Sequence, residues 1–508
     1  MSIHSIPNTS AGIRLRDVLP AAQAIGPADV VFRSACGKWD ECQADDLFVA
    51  VGGSETDGHD HVHEAIDRGA AAVLCERLLP VTVPQFIVKD SRIAYGHICH
   101  ALAGHPSQRL STIGVSGTAG KTVASHLIHN VLRAAELTAG LSSTTDLRFG
   151  ETPGKPDTEL NAPTISNQLA KMAIGQCSHS VIETSSQLLA QHALSGIELD
   201  VSVITNLQRN QSDWHGSFQN YLRANARMLS YLKATGVAVI NADDKYSMHL
   251  LDEISVPALT YGIHREAEVK AKLLDRCASF QTFIISAGME SVVLRTSIIG
   301  KQHIYHCLAA TAVGLTLGLD LKVIARGLET ARIPGRLQRV DCGQEFNLWI
   351  DSARNPNQLN GAISAIAPVC DGKLWCVCSV DDAQSETERK KLGIILEKKT
   401  EKAIITSHFA GVPKSRIDYE PFHQIIDGFE DPSFASLMPG RIRAIEWALS
   451  QAAPGDSVLI TGCGSNPIGN VDHAGDHITD HDACRTFLTN KKSNDNEPPQ
   501  IFKISDYQ

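Results

Sequence analysis

The clearest chemistry in the chain is carried by Gly117-Thr118-Ala119-Gly120-Lys121-Thr122. An apolar run from Ser111 to Ser116 precedes it and reads as a buried strand, and a helical pattern follows to about Leu137. Strand, glycine turn, Lys-Thr and helix, in that order, build a cradle for phosphate. Glycine admits an anion close to the backbone and takes φ angles closed to other residues. The helix N-terminus adds N–H donors and the positive end of its dipole. Lys121 is placed to reach terminal phosphates, and the Thr122 hydroxyl to ligate Mg2+. The strict pattern G-x4-G-K-[ST] is not met, because Val115 stands five residues before Gly120; from Gly114 the loop reads G-x-x-G-T-x-G-K-T.

Positioning such a loop takes a parallel sheet. Ser180–Thr184, Val201–Thr205 and Val237–Ile240 are β-branched apolar runs without alternation, separated by helical stretches such as 218–233. That pattern predicts parallel strands covered on both faces. Ligands bind such sheets at the carboxyl ends of the strands, where Glu183 and Asn206 fall. Leu47–Val51 and Ala70–Leu74, with a helix near His61–Arg68 between them, predict a smaller α/β unit ahead of it. Behind it, strands near 347–350, Leu374–Cys378, Ala403–Thr406 and Ser457–Thr461 predict a second doubly wound sheet. A length of 508 residues suits three such domains. We place them at 1–108, 109–333 and 334–490, with a polar tail at 491–508 that is expected to be largely disordered.

Composition narrows the function. A net charge of −10 excludes a basic nucleic-acid surface. No apolar run approaches the roughly 18 residues that span a bilayer. The opening residues, MSIHSIPNTSAG, lack the basic-then-apolar pattern of a secretory signal, so a cytoplasmic location is expected. Thirteen scattered cysteines suit a reduced protein. The closest pairs, Cys36/Cys42 and Cys376/Cys378, lack zinc-site spacing, and no cysteine metal framework is expected.

The ordered stretches LFVAVGG, DGHD, AIDRGAAAVL, GVSGTAGKT, VIETSSQLLAQ at 181–191, TNLQRNQSDWHGSFQNYLRANARML at 205–229, INADD and PGRLQRV followed by Asp351 resemble the Mur ligases over about residues 13–470. The phosphate loop is also similar to that of the folylpolyglutamate synthetases. Within the Mur ligases the likeness is to the branch that extends UDP-N-acetylmuramoyl-L-alanyl-D-glutamate. The resemblance implies three α/β domains with the active site in the cleft between them. It also implies ATP- and Mg2+-dependent amide ligation, in which the carboxylate of a UDP-N-acetylmuramoyl-peptide is activated as an acyl phosphate and attacked by an amino acid. Gly117, Thr118, Ala119, Gly120, Lys121 and Thr122 would then hold ATP. Glu183 and His215 would hold metal with Thr122, Arg336 and Asp351 would contact the nucleotide, and Ser185 and Gln191 the muramoyl peptide. Lys121, Glu183 and His215 would be the catalytic set, and a monomer is favoured. Plain structural roles stay open beside these: a capping carboxylate for Glu183, a packed histidine for His215, an interdomain ion pair for Arg336 and Asp351, and ordinary polar groups for Ser185 and Gln191.

Departures from the family pattern cluster at the chemistry. Asn225 stands where the family carries a carbamylated lysine; an amide offers a carbonyl oxygen to a cation but no charge. Arg209-Asn210-Gln211-Ser212-Asp213 replaces R-D-H-L-D, Arg354 stands in D-Y-A-H-x-P, and Lys38-Trp39-Asp40 replaces a uridine-contacting D-S-R. His408-Phe409-Ala410 follows Ser407 where D-N-P-R would recognise diaminopimelate, and Asn466 replaces a glutamate. Two further readings therefore stand beside ligation of a muramoyl peptide. One is a paralogue that binds nucleotide without ligating, and the other is a ligase for a different carboxylate.

Overall fold

A computed structural model of the protein describes residues 3–4, 12–53, 56–157, 159–209, 212–381, 384–409, 417–469 and 478–491. Asn210, Gln211, Ala410 and the tail beyond Lys491 lie outside the described residues. Contacts divide the chain into two compact units. The first comprises Met1–Lys270, Ser286–Glu290 and Tyr305–Gly327; the second comprises Ala271–Ile285, Ser291–Ile304 and Leu328–Gln508.

The first unit holds two main sheets beside the short antiparallel pair Ile13–Arg14 and Val31–Phe32. The smaller has the strand order Ile3–His4, Ser34–Cys36, Leu47–Val49, Ala72–Cys75, Gln85–Ile87, Gln23–Ile25. Its inner four strands are parallel and its two edges antiparallel. The larger runs Thr152–Gly154, Leu147–Phe149, Ala139–Ser142, His179–Glu183, Ser111–Ser116, Leu199–Ile204, Leu232–Asn241, Ala258–Gly262. From Ala139–Ser142 to Ala258–Gly262 every pairing is parallel, as the unbroken apolar runs predict. The helix after the phosphate loop spans Lys121–Ala134, shorter than expected. Glu136 takes a left-handed φ of 60°, and Leu137 N–H bonds to Leu132 O while Glu136 N–H bonds to Arg133 O. This is a Schellman stop, built here without glycine. The helix expected at 218–233 spans Phe218–Ser230, and the next strand starts at Leu232.

One hydrophobic core serves both sheets of this unit. It joins Leu47, Val49, Leu74, Ile98 and Leu102 to Ile165, Leu169, Met172, Leu189 and Leu194. Helix Ser91–Leu102 packs on helix Ala162–Ile174. The approach near Gly96 is close, since a Cβ there would stand 2.6 Å from Ser195 Cβ.

The second unit carries the second doubly wound sheet. Its order is Gln338–Arg339, Asn347–Asp351, Ser457–Thr461, Leu374–Ser379, Lys402–Thr406, Ala435–Leu437, parallel except at the first strand. Helices Pro356–Ile366, Glu386–Lys399 and Glu420–Ile426 cover one face, and Arg441–Gln451 and Asp480–Lys491 the other. Arg441 and Asp480, both fully buried, meet in a bidentate pair of 2.6 and 2.7 Å, and Arg441 also donates to Thr461 O at 2.8 Å. Such a pair fixes geometry more than it adds stability, because both charges have lost their water.

Candidate phosphate and metal site

The phosphate loop leaves the Ser111–Ser116 strand between His179–Glu183 and Leu199–Ile204, with Val115 level with both Glu183 and Val203. Gly117 (φ +134°) and Gly120 (φ +84°) sit in conformations that disfavour any side chain. Space is closed as well: a Cβ would stand 2.2 Å from Thr205 Oγ1 at Gly117 and 2.0 Å from His306 Nε2 at Gly120. Lys121 folds its ammonium back over the loop, donating to Gly117 O at 2.9 Å and Thr118 O at 3.4 Å.

Thr122 lies in the first turn of the helix, and its hydroxyl donates to Glu183 Oε1 at 2.9 Å. The other carboxylate oxygen accepts from Thr144 N–H at 3.2 Å and from its hydroxyl at 3.4 Å. Glu183 is only 4% exposed, so its charge is buried among neutral hydroxyl and amide donors. A buried carboxylate needs such compensation or a cation. Paired hard oxygens from Thr122 and Glu183 fit Mg2+, and the donor set needs no rearrangement of chemical type.

Thr118 and Ala119 are tied to the segment after the neighbouring strand. Thr118 N–H donates to Asn206 O at 2.8 Å, and its hydroxyl bonds the Tyr221 phenol and accepts from Gln208 N–H at 2.8 Å. Ala119 N–H donates to Asn206 Oδ1 at 3.2 Å, while Ala119 O accepts from Asn206 Nδ2 and Thr205 Oγ1. Two of the cradle's N–H groups are thus held by Asn206 in this form. Its place at a strand's carboxyl end was the only signal of that role in the sequence.

His215 Nε2 lies 3.0 Å from Ser186 Oγ, and its ring stands edge-on to Tyr221. Burial holds its pKa below the usual histidine range. The Ser185 hydroxyl caps helix Ser186–Ala190 by accepting from Leu188 N–H at 3.2 Å. Gln191 closes the same helix through its backbone N–H to Gln187 O, and the residue is exposed.

The Asn225 amide is engaged inside the first unit. It is fully buried, its Oδ1 accepts from Ser116 Oγ at 3.1 Å, and its Nδ2 donates to Tyr221 O at 2.9 Å. The amide ties helix Phe218–Ser230 to the strand that carries the phosphate loop. A second cation beside His215 would find no anion at position 225, so the residues there do not fit the two-metal arrangement that the resemblance implies.

In the second unit the Arg336 guanidinium lies close enough to Asp351 to act on its carboxylate. Asp351 accepts from Leu337 N–H and Ala353 N–H, each at 2.8 Å. Burial pushes its carboxyl above the usual range, against the pull of the Arg336 guanidinium. Arg354 and His408, two of the departures, both approach Asp381, which sequence reasoning missed. Arg354 Nη1 lies at 3.5 Å and His408 Nε2 at 3.7 Å, while Arg354 Nε donates to Gly462 O.

Three family models match the chain. They are the Mur ligase family catalytic domain at residues 40–103, the Mur ligase middle domain at 115–314, and the Mur ligase glutamate ligase domain at 335–464. A UDP-N-acetylmuramoyl-L-alanyl-D-glutamate–2,6-diaminopimelate ligase of Geobacillus thermodenitrificans (strain NG80-2) is 30% identical over 446 residues, covering 86% of this chain and 90% of that one. A UDP-N-acetylmuramyl-tripeptide synthetase of Roseiflexus sp. (strain RS-1) is 30% identical over 446 residues, covering 82% and 87%. A solved UDP-N-acetylmuramoyl-L-alanyl-D-glutamate–2,6-diaminopimelate ligase superposes with a TM-score of 0.69 at 22% identity, covering 95% of this chain and 99% of that one, which bears on the fold alone. Sheet order, phosphate loop and full-length similarity agree, and the chain belongs to the Mur ligase family.

Proposed function

We propose that the protein is an ATP- and Mg2+-dependent ligase that joins an amino acid to a UDP-N-acetylmuramoyl-peptide. The observation that carries this is the buried pairing of Thr122 with Glu183 at the mouth of a phosphate loop whose glycines cannot be replaced. Phosphoryl transfer asks an enzyme for positioning and neutralised charge more than for covalent chemistry. Bound Mg2+ supplies the charge that draws together the phosphate oxygens. Lys121 would move its ammonium from the loop carbonyls onto the terminal phosphates, Thr122 and Glu183 would hold the cation, and the helix N-terminus that follows the loop would face the anion. His215 is held neutral beside Ser186, suited to accept a hydrogen bond from substrate or the incoming amine.

The test is phosphate release from Mg·ATP with UDP-N-acetylmuramoyl-L-alanyl-D-glutamate and a panel of amino acids that includes diaminopimelate and lysine. Release that depends on one amino acid establishes ligation and names the amine. Lys121→Ala abolishes it; full activity in that variant sinks the assignment of the loop. A second reading, nucleotide binding without ligation, is motivated by Asn225 together with the missing D-N-P-R, and it predicts ATP binding with no release across the panel.

A further inference from the structure

We propose that Cys36, Cys42 and Asp46 form a binding site for a thiophilic divalent cation, with Zn2+ the best chemical match. The sequence spacing, C-x5-C-x3-D, gives no hint of it. The folded chain does. Cys36 ends the Ser34–Cys36 strand, Asp46 immediately precedes Leu47–Val49, and the two strands are parallel with Ala35 level with Leu47. One step back along that register sets Ser34 beside Asp46, and Ser34 and Cys36 share a face because side chains alternate along a strand. The intervening chain turns through Trp39–Glu41 and returns Cys42 to the same place.

The two sulfurs and a carboxylate oxygen all lie within 4.8 Å of one another, and all three residues are buried, at 0%, 4% and 0% exposure. Asp46 is held for the purpose. Oδ1 accepts from the Ser34 hydroxyl, and Oδ2 accepts from Gln43 N–H at 2.9 Å. These are the outer hydrogen bonds that orient a ligating carboxylate, and they leave lone pairs for a metal. Asp46 forms no ion pair among the described residues, and the nearby Arg68 guanidinium stacks over Trp39 instead. A buried anion with no cation is costly, and a divalent ion bound by two thiolates and a carboxylate removes that cost.

Binding exchanges two S–H bonds for two metal–sulfur bonds and releases two protons, so affinity rises with pH. Soft sulfur selects Zn2+ over Mg2+. The role is structural, because the ion clips the 37–45 segment to the sheet. A disulfide between the same thiols is the weaker alternative. A disulfide would leave the buried Asp46 carboxylate beside it with no cation among the described residues.

The test uses the full-length protein, purified reduced, dialysed against a mild chelator and assayed for metal by mass spectrometry. About one Zn2+ per chain is expected, with Co2+ substitution giving a thiolate charge-transfer band. Cys36→Ser and Cys42→Ser lose the ion. Ser34→Ala keeps the site but weakens it roughly 10–100-fold. Cys75→Ser, a buried thiol of the same core outside the cluster, keeps full occupancy and controls for general damage to packing. The inference is overturned if the native chain takes up no Zn2+, if Cys42→Ser retains it unchanged, or if peptide mapping of the native protein finds Cys36 joined to Cys42. None of these outcomes depends on ligase activity.

Discussion

Replacing Asn225 by lysine restores the family's residue type at that position, and the geometry says that it will harm the protein rather than awaken a second metal site. The native amide makes two hydrogen bonds, to Ser116 Oγ and Tyr221 O, from a fully buried position. At about 1 kcal/mol each, their loss costs about 2 kcal/mol. No orphan is left behind, because Ser116 Oγ also reaches Thr184 O and Tyr221 O keeps its helical partner. Asn225→Ala should therefore cost about 2 kcal/mol plus a small cavity term. Asn225→Lys adds a buried ammonium, worth several kcal/mol more when unpaired. The lysine variant should thus be about 4 kcal/mol or more less stable than the native chain. Urea unfolding followed by amide exchange along Ser111–Ser116 reads this directly, and phosphate release measured in parallel should show no gain over the native chain. A lysine variant as stable as the native protein, or one with robustly increased ligation, would refute the account of Asn225 as a structural tie.

Removing one half of the buried Arg441–Asp480 pair should be far worse than removing both. Arg441→Met should cost about 3–5 kcal/mol in denaturant unfolding, and adding Asp480→Leu should recover most of it. Gly120→Ala should abolish ATP binding in calorimetric titration, since its Cβ would meet His306 and the φ of +84° disfavours alanine. Glu183→Gln keeps an acceptor for the Thr122 hydroxyl but removes the charge, so the Mg2+ needed for half-maximal phosphate release should rise while ATP affinity without metal is unchanged. Burial holds His129 down to about 4 and His100 to about 3. Both bind protons in the unfolded chain from about 6.5 downward, so their contribution is complete above that pH and is lost as pH falls toward the folded values. Between pH 6.5 and 5 each should cost about 2 kcal/mol, a loss that His129→Gln reduces in urea midpoints.

The parallel sheets and the phosphate loop were legible because their signals are local. An unbroken apolar run such as Ser111–Ser116 reports burial on both faces, and Gly117 and Gly120 report a backbone that no other residue tolerates. Helix ends were less legible, since the stop at Ala134 depends on Glu136 adopting a left-handed angle that its residue type does not announce. The site was legible where one residue faces its own loop, as Thr122 does, and illegible where a partner is remote. Asn225 and Ser116 are 109 positions apart, so the amide's engagement could not be seen. A serine before a short helix serves equally as a cap or a ligand contact, and Ser185 is seen here as the cap of Ser186–Ala190. Asp381 was passed over because nothing near it in the chain marks it; Arg354 and His408 reach it from the ends of other strands.

The common core of the first unit bears on how this protein can be rebuilt. Gly96 lets helix Ser91–Leu102 come so close to the 192–196 turn that neither can be exchanged without the other. A chimera that grafts residues 1–108 from a relative would bring a foreign helix face against Ile165, Leu169 and Leu194, and would misfit even if each parent folds well. Recombination within this family should therefore succeed when both sides of that contact travel together, and crossover points in productive hybrids should fall after the last stretch of the first unit, beyond Gly327, rather than at the seam that sequence alone suggests at residue 108.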